Sequence, residues 1–486
     1  MANEERETQD APGCSLIGLS GPVRSQIFHH VVGELLSYGG AHEVSTQLHT
    51  IQCTCTELCQ QLDQECLTFN YDDTCGFGGG SRDPRAEIRL LNRRIRRHPR
   101  LKFFECVLHS SSTFHAILEA LELPKDARCS FVMEFKVALM EVRNLLCRFK
   151  VRRLNIIPNE GAPASTAEDS GDNKSQPPQQ EVVKSTDGVG SLPETGLRML
   201  CLRSCTDEIV RELLNSSPRL QCLQIVDTKL HMDPGVRSPW LMSLSLTGVA
   251  IMSDTDFNSL IAACARLRSL YISKCHLANI NIALPCLELL SITRCRQLTD
   301  ACVATLLEPQ NCPSLRFVDL TENMGLTQPV IAHPGIDIAW LMHCPHLTDH
   351  AVTQMFQNCP SLTAVNLVQS SIEAPQICSP NLRTLELATS QKLADAAVTY
   401  LLQHCPSLTF LDVGHCCQLM EPILSHPRLE TILLSFCVNL RESAIARLFE
   451  ECHALKYVEL AVCMFDMTRF QRERRADCQV VVNFDF

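Results

Sequence analysis

From Leu197 onward the chain repeats the pattern Leu-x-x-Leu-x-Leu-x-x-Cys, in which another apolar residue can stand for leucine and a small polar residue for cysteine. The first leucine slot falls at Leu197, Leu220, Leu241, Leu267, Leu287, Leu315, Ile336, Leu362, Leu382, Leu408, Leu429 and Leu455. This spacing of about 20 to 28 residues constrains the fold more than any local motif does. A unit so short cannot bury an apolar face by itself, so neighbouring units must stack and share one core. From Leu241 the steps alternate long and short, and the repeat therefore comes in pairs.

The long member of each pair carries a helix signal. In residues 347–356 (LTDHAVTQMF), Thr348 or Asp349 can accept from free first-turn amides, while Val352, Met355 and Phe356 fall at i, i+3 and i+4 on one face. The design recurs at 298–307, 393–402 and 440–449, whereas short members such as Ser371 to Pro375 read as extended or turn-like. The repeat also accounts for many of the cysteines. Cys205, Cys275, Cys295, Cys344, Cys416, Cys437 and Cys463 share the ninth slot, and Cys264, Cys312, Cys359, Cys405 and Cys452 stand three before a first leucine. A thiol is small, readily buried and able to donate weakly to a carbonyl, which suits an interior corner better than redox or metal chemistry.

Cysteine in the ninth slot, Leu-Thr-Asp after the turn, and Asn-Cys-Pro-Ser-Leu at 311–315 and 358–362 resemble the cysteine-containing subclass of leucine-rich repeats typical of F-box/leucine-rich-repeat proteins. The resemblance covers residues 195–486. It implies an α/β fold, a right-handed leucine-rich-repeat solenoid (horseshoe) with a small all-α F-box-like N-terminal domain. It further implies a substrate receptor whose F-box grips the Skp-type adaptor of a cullin ubiquitin ligase while the repeats hold a target protein.

Upstream, Ile27, Val31, Leu35 and Leu36 give one apolar helix face that ends at Gly39-Gly40. Val44, Leu48 and Ile51 mark a second helix, and Cys55, Leu58, Cys59 and Leu62 a third. Three short helices over residues 21–70, directly before repeats, resemble an F-box in length, order and placement. On that resemblance Ile27, Val31, Leu35, Leu36, Leu48, Leu58 and Leu62 are the adaptor-binding candidates. The family's Leu-Pro opening is replaced by Leu19-Ser20-Gly21-Pro22, and Gly39-Gly40 stands where a leucine is usual. The alternative is a helical cap that only closes the first coil of a non-ligase interaction scaffold.

The rest of the chain divides by composition. Residues 1–20 are polar and expected to be disordered, with Met1 to Asp10 unlike a signal peptide. Residues 71–88 contain a glycine-rich linker, 89–157 form degenerate opening repeats in which 101–106 and 151–156 fit strands and 131–149 look helical, and 158–194 read as a disordered inserted loop. The glycine run lacks the Gly-Lys-Ser/Thr ending of a phosphate loop. The cysteines from Cys53 to Cys75 lack paired Cys-x2-Cys spacing, so no metal or other cofactor is expected. No histidine sits in a hydrolase signature, and the chain is not expected to be an enzyme. Without an export signal or an apolar run of membrane-spanning length, the expected compartment is cytoplasm or nucleus. A net charge of -11 argues against nucleic acid as a partner, and the absence of a spanning apolar run argues against a membrane. The basic stretch Arg85 to Arg100 reads as a solvated helix face, the alternative being a dock for an acidic or phosphorylated partner.

Function then falls to the concave strand surface. Strand alternation turns the residues on either side of the second leucine outward. The columns so defined place Tyr271, Leu289, Phe317, Ile338, Trp340 and Phe410 beside Asp319, Asn366, Glu386 and Asp412. These ten residues are the target-binding candidates, with an apolar, aromatic anchor exposed among carboxylates that would suit a protein ligand bearing apolar and basic residues.

Overall fold

The computed structural model describes residues 68–72, 83–96, 101, 103–158, 194–228, 239–249, 253–281, 283–461 and 478–481. The candidate adaptor residues between Ile27 and Leu62, the cysteines from Cys53 to Cys75 and residues 159–193 of the expected insertion lie outside them. Chain contacts divide the protein into two compact units, one from Leu67 to Leu267 and one containing Arg268 to Phe486.

The first unit contains strands β1 (Thr68–Asp72), β2 (Phe103–Leu108), β3 (Arg128–Met133), β4 (Val151–Ile156), β5 (Met199–Arg203), β6 (Cys222–Val226) and β7 (Ser243–Thr247). Each pairs parallel with the next. Helices α1 (Pro84–Ile95), α2 (Ser111–Ala120), α3 (Leu139–Arg148), α4 (Asp207–Asn215) and α5 (Asp254–Ala262) belong to the same unit. The helix expected over 131–149 is confined to α3, because Cys129, Phe131 and Met133 alternate inward with period two and form β3 instead. Helix α1 begins at Pro84, inside the stretch read as linker, and carries Arg85, Arg89 and Arg93 on its exposed side.

The second unit contains β8 (Ser269–Ser273), β9 (Leu289–Thr293), β10 (Phe317–Asp319), β11 (Ile338–Trp340), β12 (Ala364–Asn366), β13 (Thr384–Glu386), β14 (Phe410–Asp412), β15 (Thr431–Leu433), β16 (Tyr457–Glu459) and β17 (Gln479–Val481). These too pair parallel in sequence order. Every second connection is a helix: α6 (Asp300–Leu306), α7 (Asp349–Asn358), α8 (Asp395–His404) and α9 (Glu442–Glu451). The short connections between them hold no helix, so the fold is an α/β solenoid whose helical and non-helical coils alternate.

The core is built from the leucine slots. Val318, Ala339, Val365, Leu385, Leu411, Ile432 and Val458 occupy the second slot and are at most 1% exposed. On α7 the apolar face Val352, Met355 and Phe356 is buried, and the Thr348 hydroxyl accepts from Ala351 N–H. Asp349 does something the helix pattern does not reveal. Its two oxygens accept from the backbone N–H groups of Glu373 (2.8 Å) and Ala374 (2.9 Å) in the next coil. Asp300 does the same for Thr327 and Gln328, and Asp395 for Met420 and Glu421. The short coils lack a helix to satisfy those amides, so the preceding helix supplies a carboxylate, and successive coils are stitched along the helical side.

The turn that leaves each strand has its own rule. Ser204, Asp227, Lys274, Arg294, Glu322, His343, Gln369, Thr389, His415 and Phe436 all adopt positive φ, and all stand seven residues after a first leucine slot. At the equivalent Gly248, φ is +64° and an added Cβ would meet Asp227 Oδ1 at 2.5 Å, so a side chain there would have to displace that carboxylate. The next residue points inward. In that slot Cys344, Cys416 and Cys437 donate Sγ–H to carbonyls of the preceding coil, those of Leu320, Leu387 and Val413, and Asn323, in one of the coils without the thiol, donates Nδ2–H to the Ile292 carbonyl. Burial pushes the Cys295 and Cys416 thiols up to about 12, so they remain protonated donors.

Candidate functional site

In the second unit the register sets two rows of outward side chains next to each other. One runs Leu289, Phe317, Ile338, Ala364, Thr384, Phe410 and Thr431. The other runs Tyr271, Ser291, Asp319, Trp340, Asn366, Glu386, Asp412, Leu433 and Glu459. Neighbours in a row stand one strand spacing apart, about 4.8 Å. All ten target-binding candidates lie in these two rows. Tyr271, Leu289, Phe317, Asp319, Ile338, Glu386, Phe410 and Asp412 are half-buried, and the other two are covered.

Trp340 is one of the covered two, at 8% exposure, and the expectation of an exposed indole at this position is corrected. Its ring meets Phe317 edge-on, with centroids 4.9 Å apart and planes at 78°. Two large rings on adjacent strands remove more apolar surface from water by packing on each other than by standing apart. Asn366, at 3% exposure, is covered as well: its Oδ1 accepts from Val368 N–H (3.0 Å) and its Nδ2 donates to Glu386 Oε2. The large apolar side chains that stay half-buried in the two rows are therefore Tyr271, Leu289, Phe317, Ile338, Phe410 and Leu433.

The carboxylates beside it are electrostatically uncomfortable. Burial holds the Asp319 carboxyl above its ordinary value, although Thr321 N–H (3.0 Å) and the Ser291 hydroxyl (2.8 Å) both donate to it. Burial, then the charge of Asp412, pushes Glu386 up to about 8. Burial raises Asp412 to about 6, with a further contribution from Glu459, against the opposing Gly414 N–H at 2.9 Å. A nearby positive charge would favour the ionised form of both. Ser291 and Glu459 were not among the candidates. Each occupies the same repeat slot as Asp319, so the column itself carried the signal once donors and flanking charges were counted with it.

Among the described residues, no group of three or more His, Cys, Asp or Glu is placed to hold a metal ion. None of their helices is long and apolar enough to cross a membrane. What recurs in the coils that begin at Leu197 through Leu429 is one unit: a strand with its leucine slots buried, a left-handed residue, then an inward corner. This is a leucine-rich-repeat solenoid. No protein-family model matches the chain, and no curated protein matches it. Similar solved structures include a complex of Rad7 and Elc1 in yeast, at TM-score 0.37 and 15% identity, over 79% of this chain and 74% of that one. The leucine-rich repeat domain of APL1 is another, at TM-score 0.36 and 16% identity, over 74% of this chain and 86% of that one.

Proposed function

We propose that this leucine-rich-repeat protein is the substrate-recognition subunit of an SCF-type ubiquitin ligase. In this reading the chain has no catalytic activity of its own and holds a target protein on the outward strand face of its second unit. The observation that carries the binding half is the pair of rows on β9 to β14, where half-buried Leu289, Phe317 and Ile338 adjoin the crowded carboxylates Asp319, Glu386 and Asp412. A rigid apolar patch rimmed by acids suits a partner with an apolar anchor and basic residues. Removing the patch from water supplies affinity, and pairing the carboxylates supplies selectivity.

The ligase half rests on sequence: the ninth-slot cysteines, the Leu-Thr-Asp and Asn-Cys-Pro-Ser-Leu motifs, and the three apolar helix patterns at 21–70. It is tested by adaptor capture. The full chain should retain a Skp-type adaptor, and Leu35→Asp with Leu36→Asp should abolish retention, because an unpaired charge buried in an apolar interface costs several kcal/mol. Failure of the wild-type chain to bind, or equal binding by the folded double variant, leaves the non-ligase scaffold as the function.

A further inference from the structure

The described arginines of the first unit fall into two kinds. On α1, Arg85 pairs with Glu119 at 2.9 Å and Arg96 with Glu122 at 2.8 Å, and Lys150 next to β4 pairs with Asp126. The basic stretch singled out in the sequence is thus partly neutralised by α2 and the turn after it. Arg128, Arg152, Arg198 and Arg219 are different: no acidic side chain among the described residues pairs with any of them. They nevertheless sit together.

Their assembly is a consequence of register. Between β3 and β4, Cys129 faces Val151 and Ser130 faces Arg153, which leaves Arg152 as the extra residue of a β-bulge. A bulge re-aims the side chain it carries. The Arg152 carbonyl accepts from Arg198 N–H (2.9 Å), and the Arg198 carbonyl accepts from Gln221 N–H (2.8 Å), so Arg152 on β4, Arg198 just before β5 and the turn carrying Arg219 just before β6 stand in successive coils. Arg128 opens β3 on the other side. Arg152 is fixed in place because its Nη1 donates to the Gly196 carbonyl at 2.8 Å. Its neighbours resist it: after partial burial, the charges of Arg198, Arg128 and Arg219 each lower its proton affinity. Arg128 and Arg219 are exposed, and Arg152 and Arg198 half-buried.

We propose that Arg128, Arg152, Arg198 and Arg219 form a second binding site, for a phosphorylated segment of a partner protein. Four guanidinium groups converge where like charge is held together at a cost, in a chain whose net charge is -11. A dianionic phosphoryl group removes that repulsion and accepts several forked N–H donors at once. The span of the cluster decides between polyanions. Four strands cover about 14 Å at a spacing of about 4.8 Å. That length admits one or two phosphoryl groups and is too short to follow the six to ten phosphates of a typical nucleic-acid footprint, roughly the number that gives such binding its strength. The acidic chain would also repel an extended polyanion beyond the cluster. The site lies wholly in the first unit and does not depend on the strand-face reading, so either can fail alone.

The test is fluorescence anisotropy of the full chain with a labelled Gly/Ser peptide carrying two phosphoserines, alongside the unphosphorylated peptide and a 12-nucleotide oligo-dT. At about 0.15 M salt the phosphopeptide should bind and the unmodified peptide should not, because only the phosphoryl charge meets the cluster. Arg198→Gln with Arg219→Gln should weaken binding at least tenfold, and Arg198→Lys with Arg219→Lys should fall between that variant and wild type, since lysine keeps charge and loses the fork. The Lys pair preserves charge and stem, so it reports on the site even if the Gln pair folds poorly. Absence of phosphopeptide binding, undiminished binding by the Lys and Gln pairs, or oligo-dT binding as tightly as the phosphopeptide overturns the proposal.

Discussion

Replacing Glu386 by glutamine should make the solenoid more stable at high pH and remove part of its pH dependence. The carboxyl stands beside Asp412 on a strand face where burial disfavours its charge, and its proton affinity rises from the ordinary 4.5 to about 8. The folded state therefore binds this proton more tightly than the unfolded chain does. Such a group contributes stability fully below its unfolded value and loses that contribution as pH rises through the folded one. Over the full interval the loss would be at most about 5 kcal/mol. Glu386 is only half-buried, and water around the carboxylate reduces the effect to about 1–2 kcal/mol. The amide oxygen of the introduced glutamine would still offer Asn366 an acceptor, so the substitution removes charge with little change in packing. Urea denaturation of both proteins from pH 5 to pH 9 measures the difference. Glu386→Gln should exceed wild type by about 1–2 kcal/mol at pH 9, and the gap should close as pH falls toward 5. A constant gap, or a less stable variant at pH 9, would refute the reasoning that this carboxylate is held against its charge.

Asp349→Ala should cost about 1–3 kcal/mol in the same denaturation assay, because two amides of the next coil lose their acceptor, and Asp349→Asn should recover part of that loss. Trp340→Ala should destabilise by about 3 kcal/mol, comparable with Leu341→Ala, since both side chains are covered; a thermally neutral Trp340→Ala would show that its packing on Phe317 contributes nothing. Ser379→His should stabilise by about 1 kcal/mol at pH 7.5. Its hydroxyl has no partner, whereas His333 and His426 in the same slot of neighbouring short coils each reach the previous coil's carbonyl through Nε2, at 2.9 and 3.0 Å, and accept a backbone N–H on Nδ1. An unchanged or lowered melting temperature would mean that this coil has no room for the ring.

The repeat spacing carried the fold because it repeats a physical requirement: the same three slots must be apolar in every coil, and Val318, Ala339 and Leu341 are buried as that rule demands. The helices of the long coils were legible for the same reason, through Val352, Met355 and Phe356. Interactions between coils were less legible. Asp349 reads as a cap within its own helix, and only the stacked coils reveal that its oxygens serve Glu373 and Ala374. Trp340 illustrates a limit of register: alternation gives the side of the strand on which a side chain lies, and the size of the neighbouring Phe317 decides whether it meets water. The arginine cluster escaped notice because β4 and β5 are separated by more than forty residues of chain, so Arg152 and Arg198 become neighbours only through strand pairing.

The claim that the strand face of the second unit holds a target is tested most directly by binding with the face altered and the fold intact. Phe317→Ala combined with Asp412→Asn changes two half-buried side chains in adjoining rows and leaves every leucine slot in place. Proteins co-purified from cells with tagged wild-type chain would be compared by quantitative mass spectrometry with those retained by this variant and by Leu35→Asp with Leu36→Asp. The face variant, folded by its melting curve, should lose the target and keep the adaptor, with target affinity reduced by about 2 kcal/mol or more in a direct titration. Undiminished target binding by the folded face variant would contradict that claim.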